Sequence, residues 1–311
     1  MDDKKTSPFL TYEEQIEKLK SKKLRIDNEE SAIEILKNTS YYSLINGYKV
    51  IFKDNSNDFY KQDVSFDNFY QLYLFDVELR RLVMNYILIL ERKIKSIYSY
   101  SFCKKFGDGQ DEYFKGTNYN YSQFQNKINE LLTRLQSALN SNKPYINHYK
   151  AQYKNVPLWV LVNNLTLGNI SVAFECAEQS LQAEISKEFR YGVFPNQLTS
   201  MLSVLTKFRN VCAHNERLFM YTSNKSITDM PIHKHLAKGK GKKDIFAVCI
   251  IFKYLLDKRE FPNFLNEFIK LIKQYLSDMP RDIYDTILTK MGLVAGWDNL
   301  LASEIKVTIS V

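Results

Sequence analysis

The sequence predicts an all-α protein, and three observations carry that prediction. Only 10 Gly and 7 Pro interrupt 311 residues. Apolar residues recur three and four positions apart over most of the chain, the period of a helix with one buried face. Cap residues stand where several of these stretches begin. A hydrophobic fraction of 45% and a charged fraction of 25% suit a globular chain that buries a sizeable core without staples.

The elements follow in order. In residues 1–60, read as an N-terminal helical region, "TYEEQIEKLKSK" starts on Thr11 as cap, with Glu13 and Glu14 in the first turn and Ile16 and Leu19 as its apolar stripe. "DNEESAIEILKN" gives a second helix, with Asp27 as cap and Ile33 and Leu36 inward. In "YYSLINGYKVIF", Asn46-Gly47 reads as a turn or as the end of a helix. Tyr41, Tyr42 and Tyr48 read as core and rim residues, with stacking on bases the alternative. After the polar "DNSNDFYKQD", residues 61–311 are read as the main helical domain. Its longest segment, about Phe66 to Phe106, is either one long helix or two with a kink. "GDGQDEYFKGTNYNY" is a loop, and Gln123 to Leu139 a further helix. "PLWVLVNNLTLGNISVAFE" is apolar nearly all round and is expected at the centre of the core. Gln179 to Arg190 is amphipathic. Pro195 opens the helix that carries "KFRNVCAHNERLF".

That stretch holds the candidate site. Leu198, Met201, Leu202, Leu205, Phe208 and Cys212 form the core face of its helix. Ser203, Lys207, Asn210, His214 and Arg217 fall on a second stripe, and Asn210 and His214 are neighbours at i and i+4. Arg209 lies on the flank. An imidazole exchanges protons near neutral pH, and an arginine fork holds a phosphate and offsets charge that grows on it. With an Asn to orient the ring or touch substrate, these are the parts of a metal-independent ribonuclease that uses the RNA's own 2′-hydroxyl as nucleophile.

Composition bounds the alternatives. The formal net charge is +8, the isoelectric point is near 9.0, and 21 Tyr and 20 Phe accompany only 2 Trp. This suits nucleic acid, since cations meet phosphates and rings stack on bases, but it equally follows from an AT-rich genome. Cys103, Cys176, Cys212 and Cys249 form no CxxC pair, so neither a zinc site nor a disulfide framework is expected. "HKH", His233 to His235, has no third ligand nearby. No metal or cofactor is predicted. "MDDKKTSPFL" carries no apolar run behind its charges, and no stretch has about 18 uninterrupted apolar residues. A cytoplasmic protein without a membrane span is expected. Lys234, Lys238, Lys240, Lys242 and Lys243, with Lys207, are candidates for tracking an RNA backbone; a solvated loop reads equally well.

Arg209-Asn210-x-x-x-His214 matches the R-x4–6-H motif of HEPN ribonucleases, and "FRNVCAHNERLF" resembles the Abi-like family of bacterial abortive-infection proteins, the AbiD/AbiF type. Four further segments are similar to that family in order: "PFLTYEEQIEKLKSKKLRIDNEESAIEILKNTSYYSLINGYKVIF", "LYLFDVELRRLVMNYILILERKIKS", "PLWVLVNNLTLGNIS" and "MGLVAGWDNL". Asn163 and Asn164 stand where an acid is expected. The resemblance implies a HEPN-type helical bundle with an N-terminal helical extension. It implies a phage-defence protein that binds RNA as substrate or as a small structured regulator, in the manner of a toxin–antitoxin pair. A chain with one such motif would complete its cleft as a homodimer. In this picture His214 is the general acid or base, Arg209 stabilises the transition state and Asn210 orients the ring. Asn215 and Arg217 support them, and Glu91 is a carboxylate set against His or Arg, or else a solvated charge beside Arg92 and Lys93. The products would be 2′,3′-cyclic phosphate and 5′-hydroxyl ends. A non-catalytic RNA-binding scaffold is the alternative, and a nucleotide-modifying partner system a third.

Overall fold

The structure is a computed structural model that describes residues 9–54, 58–189 and 191–303. Among these it contains fourteen α-helices and no β-strand. α1 (Tyr12–Ser21) starts on a reciprocal cap between Thr11 and Glu14. α2 (Glu29–Thr39) is capped by Asn28, which accepts from Ser31 N–H at 3.0 Å; the cap is one residue later than Asp27. Its inward face is Ala32 and Leu36, with Ile33 half-buried.

Asn46-Gly47 is not a turn. A π-helical turn over Tyr42–Asn46 runs directly into α3 (Gly47–Phe52), and Gly47 has helical dihedrals, φ −61° and ψ −41°. A Cβ there would lie at an ordinary 3.6 Å from Arg217 Cδ, and the Gly47 carbonyl accepts a hydrogen bond from Arg217. Tyr48 is buried, Tyr41 half-buried and Tyr42 exposed.

α4 (Phe66–Phe106) is a single helix of 41 residues, about 60 Å long. Neither Gly nor Pro interrupts it; Ser65 and Asn68 cap its start and Gly107, at φ 98°, ends it. The other helices pack along it. α5 (Tyr121–Leu139) begins two residues before Gln123 and kinks at Phe124. α6 (Pro144–Tyr153) follows.

The run expected at the centre is broken in two. α7 (Leu158–Leu161) gives way to a 3-10 turn, and α8 (Leu167–Cys176) restarts on a Thr166–Asn169 capping box. Asn164 ties the break down by donating to Ala138 O and Ser141 Oγ, and Trp159 is left 44% exposed. α9 (Gln179–Lys187) and α10 (Pro195–Ala213) come next. The central position belongs to α11 (Ile245–Leu255), of which every residue is buried. α12 (Glu260–Leu276) is the main partner of α4. α13 (Arg281–Lys290) and α14 (Trp297–Ala302) close the fold. Between them Gly292, at φ 80°, makes room for the Asp244 carboxylate that caps α11, which accounts for the first glycine of "MGLVAGWDNL". The core is one cluster running from Ile16 to Leu301, so the N-terminal helices share it with the rest.

Candidate functional site

α10 runs antiparallel to α4. The segment after α10 meets Asp76 and Arg80, while α9, just before α10, pairs with Lys104 and Lys105 near the far end of α4. The core face of α10 is as its period predicts: Leu198, Met201, Leu202, Leu205 and Phe208 are buried, joined by Val204 and Val211, with Cys212 half-buried at the edge.

The helix ends at Ala213, so the polar residues do not form one continuous helical stripe. His214 is the C-cap. Asn215 takes the left-handed conformation, φ 56°. Glu216 N–H then donates to Val211 O at 3.1 Å and Asn215 N–H to Cys212 O at 3.4 Å, the two bonds of a Schellman closure. Asn tolerates this backbone better than any residue but Gly, which explains Asn215 locally. The effect is to present the His214 side chain, exposed, at the last turn.

Past Asn215 the chain is held from the side by three residues that the motif reading missed. Asp76 is fully buried and accepts from Tyr48 Oη (3.0 Å), Arg80 Nη1 (2.6 Å), Leu218 N–H (3.1 Å) and Phe219 N–H (2.8 Å). Arg80 also donates to Glu216 O at 3.2 Å. Burial pushes the Asp76 carboxyl up from its ordinary value, and Arg80 and the two amides pull it back. Burial, then the Asp76 charge, pushes the Tyr48 phenol up. The signal was present in "FDVELRR": an acid on the apolar stripe of Phe69, Leu72 and Leu79, with an arginine four residues on. Arg217 joins this frame. It leaves the helix stripe and donates to Gly47 O.

The motif residues themselves are unengaged. Arg209 is half-buried, and its Nε is buried without a hydrogen-bond partner. His214 N–H donates to Asn210 O at 2.9 Å, but no described residue bonds the His214 ring or the Asn210 amide. Burial pushes the neighbouring Cys212 thiol up to about 12, so it is a poor nucleophile.

Three hollows follow one another along α4. Asn215, Arg217, Tyr48 and Tyr73 line the first, of about 620 Å3. The second, about 590 Å3, is reached past Arg80 and Asn215 and is lined by Cys212, Met84 and Leu88. Asn85 and Leu88 lead to the third, about 750 Å3, lined by Glu91, Arg92, Lys95, Trp159 and Asn163. From Tyr73 to Ser99 this trough spans about 40 Å, and Cys212 and Asn215 place the His214 turn beside its middle.

Glu91 lies in the trough but is neither solvated nor bonded to the motif. It is 8% exposed, pairs with Lys95 at 2.7 Å, and leaves Oε2 without a partner. The lysine candidates lie elsewhere. Lys234, Lys238, Lys240 and Lys243 are exposed, and Lys242 pairs with Asp229 at 2.5 Å. Their segment is folded: His233 is fixed between Met230 and Gly241 O. It packs beside the start of α10, where Thr228 N–H meets Ser200 Oγ and Gln197 meets Asp229 O. Ser200 precedes His214 by about 21 Å along the helix. Only Lys207, half-buried, stands near the motif. Among the described residues no group of His, Cys, Asp or Glu could hold a metal ion, and no helix is long and apolar enough to cross a membrane.

A family model described as Abi-like protein matches residues 34–220, more than half of the chain. The chain belongs to the Abi-like protein family. Membership points to abortive infection, a form of phage defence. The matched span contains α4 through α10, and so the Asp76 frame, the trough and the Arg209–His214 segment of this Abi-like protein. No curated protein and no solved structure matched the chain.

Proposed function

We propose that this Abi-like protein is a HEPN-type endoribonuclease acting in phage defence. One observation carries the reading. Arg209, half-buried, and His214, exposed, stand five residues apart in the last turns of α10, about 140° round the helix from one another, and no described residue bonds the Arg209 Nε or the His214 ring. Structural polar residues bond their neighbours; a site keeps bonds unmade for its ligand.

The chemistry is in-line transesterification. The RNA 2′-oxygen attacks phosphorus while an imidazole takes its proton; the P–O5′ bond breaks, and a protonated imidazole returns a proton to the departing 5′-oxygen. The products are a 2′,3′-cyclic phosphate and a 5′-hydroxyl, with no change in oxidation state. The Arg209 guanidinium offsets charge on the equatorial phosphoryl oxygens. One chain supplies one such imidazole, so two copies facing across a common cleft provide the acid and the base. A small structured RNA is the regulator this reading expects, held by the cationic surface of a protein at +8. The test is incubation of purified protein with RNA in chelator. Cleavage with cyclic-phosphate ends, absent in His214→Ala, supports the reading; intact RNA under all conditions overturns it.

A non-catalytic RNA-binding role is favoured by a separate observation. No described residue bonds the His214 ring to orient it, as a general base requires. In that case His214→Ala would leave both RNA affinity and phage protection unchanged.

A further inference from the structure

A second polar hollow lies among the N-terminal helices. It has a volume of about 300 Å3 and opens between α1, the π-turn, α3 and Tyr60. Among the described residues four lysines line it, Lys18, Lys22, Lys49 and Lys53, and no carboxylate does. Asp58 pairs with two of the four, Lys22 and Lys53. Lys49 bonds only the Asn46 amide oxygen, at 3.0 Å, and Lys18 stands 6.0 Å from the centre of the Tyr41 ring. Burial, and then the ammoniums of Lys22 and Lys49, hold Lys53 below the ordinary lysine value despite its aspartate.

Two further groups in the hollow lack partners. Tyr60 is 4% exposed, yet no described residue bonds its hydroxyl. Gln15 gives its amide N–H to Leu10 O at 2.9 Å and keeps Oε1 buried and unbonded. A buried amide oxygen normally finds a donor, and like charges normally disperse. Here a donor, an acceptor and four lysines line one hollow, and a compact polyanion with a hydroxyl would satisfy them.

We propose that this hollow binds a phosphomonoester, carried on a free nucleotide or on the 5′ end of an RNA. The four lysines exceed Asp58 by three charges, which a monoester of nearly two negative charges matches better than a backbone diester of one. The Tyr60 hydroxyl and the ammoniums donate to its oxygens, and Gln15 Oε1 accepts from a ribose hydroxyl. The site stands whether or not His214 is catalytic. It adjoins the motif frame all the same: Asn46 lines both this hollow and the one beside Asn215, and the next residue, Gly47, holds Arg217.

Isothermal titration of the full chain tests this, using AMP and an eight-nucleotide 2′-O-methyl RNA with either a 5′-phosphate or a 5′-hydroxyl. If the carrier is RNA, the 5′-phosphate tightens binding about tenfold. If it is a free nucleotide, AMP binds and the RNA phosphate brings no gain. In either case Lys18→Gln with Lys49→Gln removes the phosphate-dependent binding, while Tyr60→Phe, which keeps the buried ring, weakens it and leaves the melting curve in place. Equal binding of both RNAs together with no AMP binding overturns the proposal. So does phosphate-dependent binding that the double variant retains.

Discussion

The Asp76 cluster and the Arg209–His214 patch lie at the same end of α10 and are built in opposite ways. Asp76 is dry and accepts from four residues; Arg80 and Tyr48 are spent on it, and the chain after Asn215 hangs from it. Arg209 and His214 make almost no side-chain bonds. The difference separates a device that shapes backbone from a surface whose polar groups no described residue engages, the feature on which the proposed function rests. Both are polar clusters in the sequence, and only their bonding tells them apart.

The comparison breaks most visibly at Asp76. Asp76→Ala leaves the Arg80 charge, the Tyr48 hydroxyl and two amides unpaired in the core, and is expected to cost about 3–5 kcal/mol, read by denaturant unfolding. A cost under about 1 kcal/mol would show that the cluster does not frame the motif. His214→Ala should do the reverse. Cleavage should fall by about 10²–10⁴-fold while stability stays within about 0.5 kcal/mol of wild type. A variant that unfolds instead would place His214 with the scaffold.

Asn215 sharpens the boundary between the two. Its left-handed backbone makes Asn215→Gly nearly neutral, whereas Asn215→Val should cost about 1 kcal/mol or more and lower activity with it. Equal effects of the two substitutions would remove the Schellman closure from the account. The smallest effect belongs to the distant basic segment. Replacing Lys238 and Lys240 with Ala should leave stability within about 0.5 kcal/mol and the cleavage rate at saturating RNA unchanged. A large rate loss would bring that segment to the reacting phosphate.

The helices were legible where one force decides them. Period, capping residues and the scarcity of Gly and Pro located α1, α2, α4, α5 and α10 to within a few residues, because these features act over one or two turns. The same local reading failed at Gly47, which continues a helix and whose carbonyl accepts from Arg217, 170 residues away. It placed "PLWVLVNNLTLGNISVAFE" in the core, where most of it is buried, but did not show the break after α7, where Asn164 reaches Ala138 and Ser141. It gave no account of Ile245–Leu255, where burial on every side leaves no amphipathic period to read.

The candidate site divides along the same line. Sequence by itself determined the all-α class, the family and the choice of Arg209, Asn210 and His214, since spacing on one helix fixes which side chains are neighbours. Tertiary structure alone decided that α10 stops at Ala213, that Arg217 turns to Gly47, that Glu91 pairs with Lys95 and that the lysine segment lies toward the opposite end of the helix. It alone brought Asp76, Arg80 and Tyr48 to the chain after Asn215, and four lysines around one hollow. The physical reason is range. Helix period and caps act over a few residues, whereas burial and the pairing of charges are settled by whichever distant segment the packing delivers.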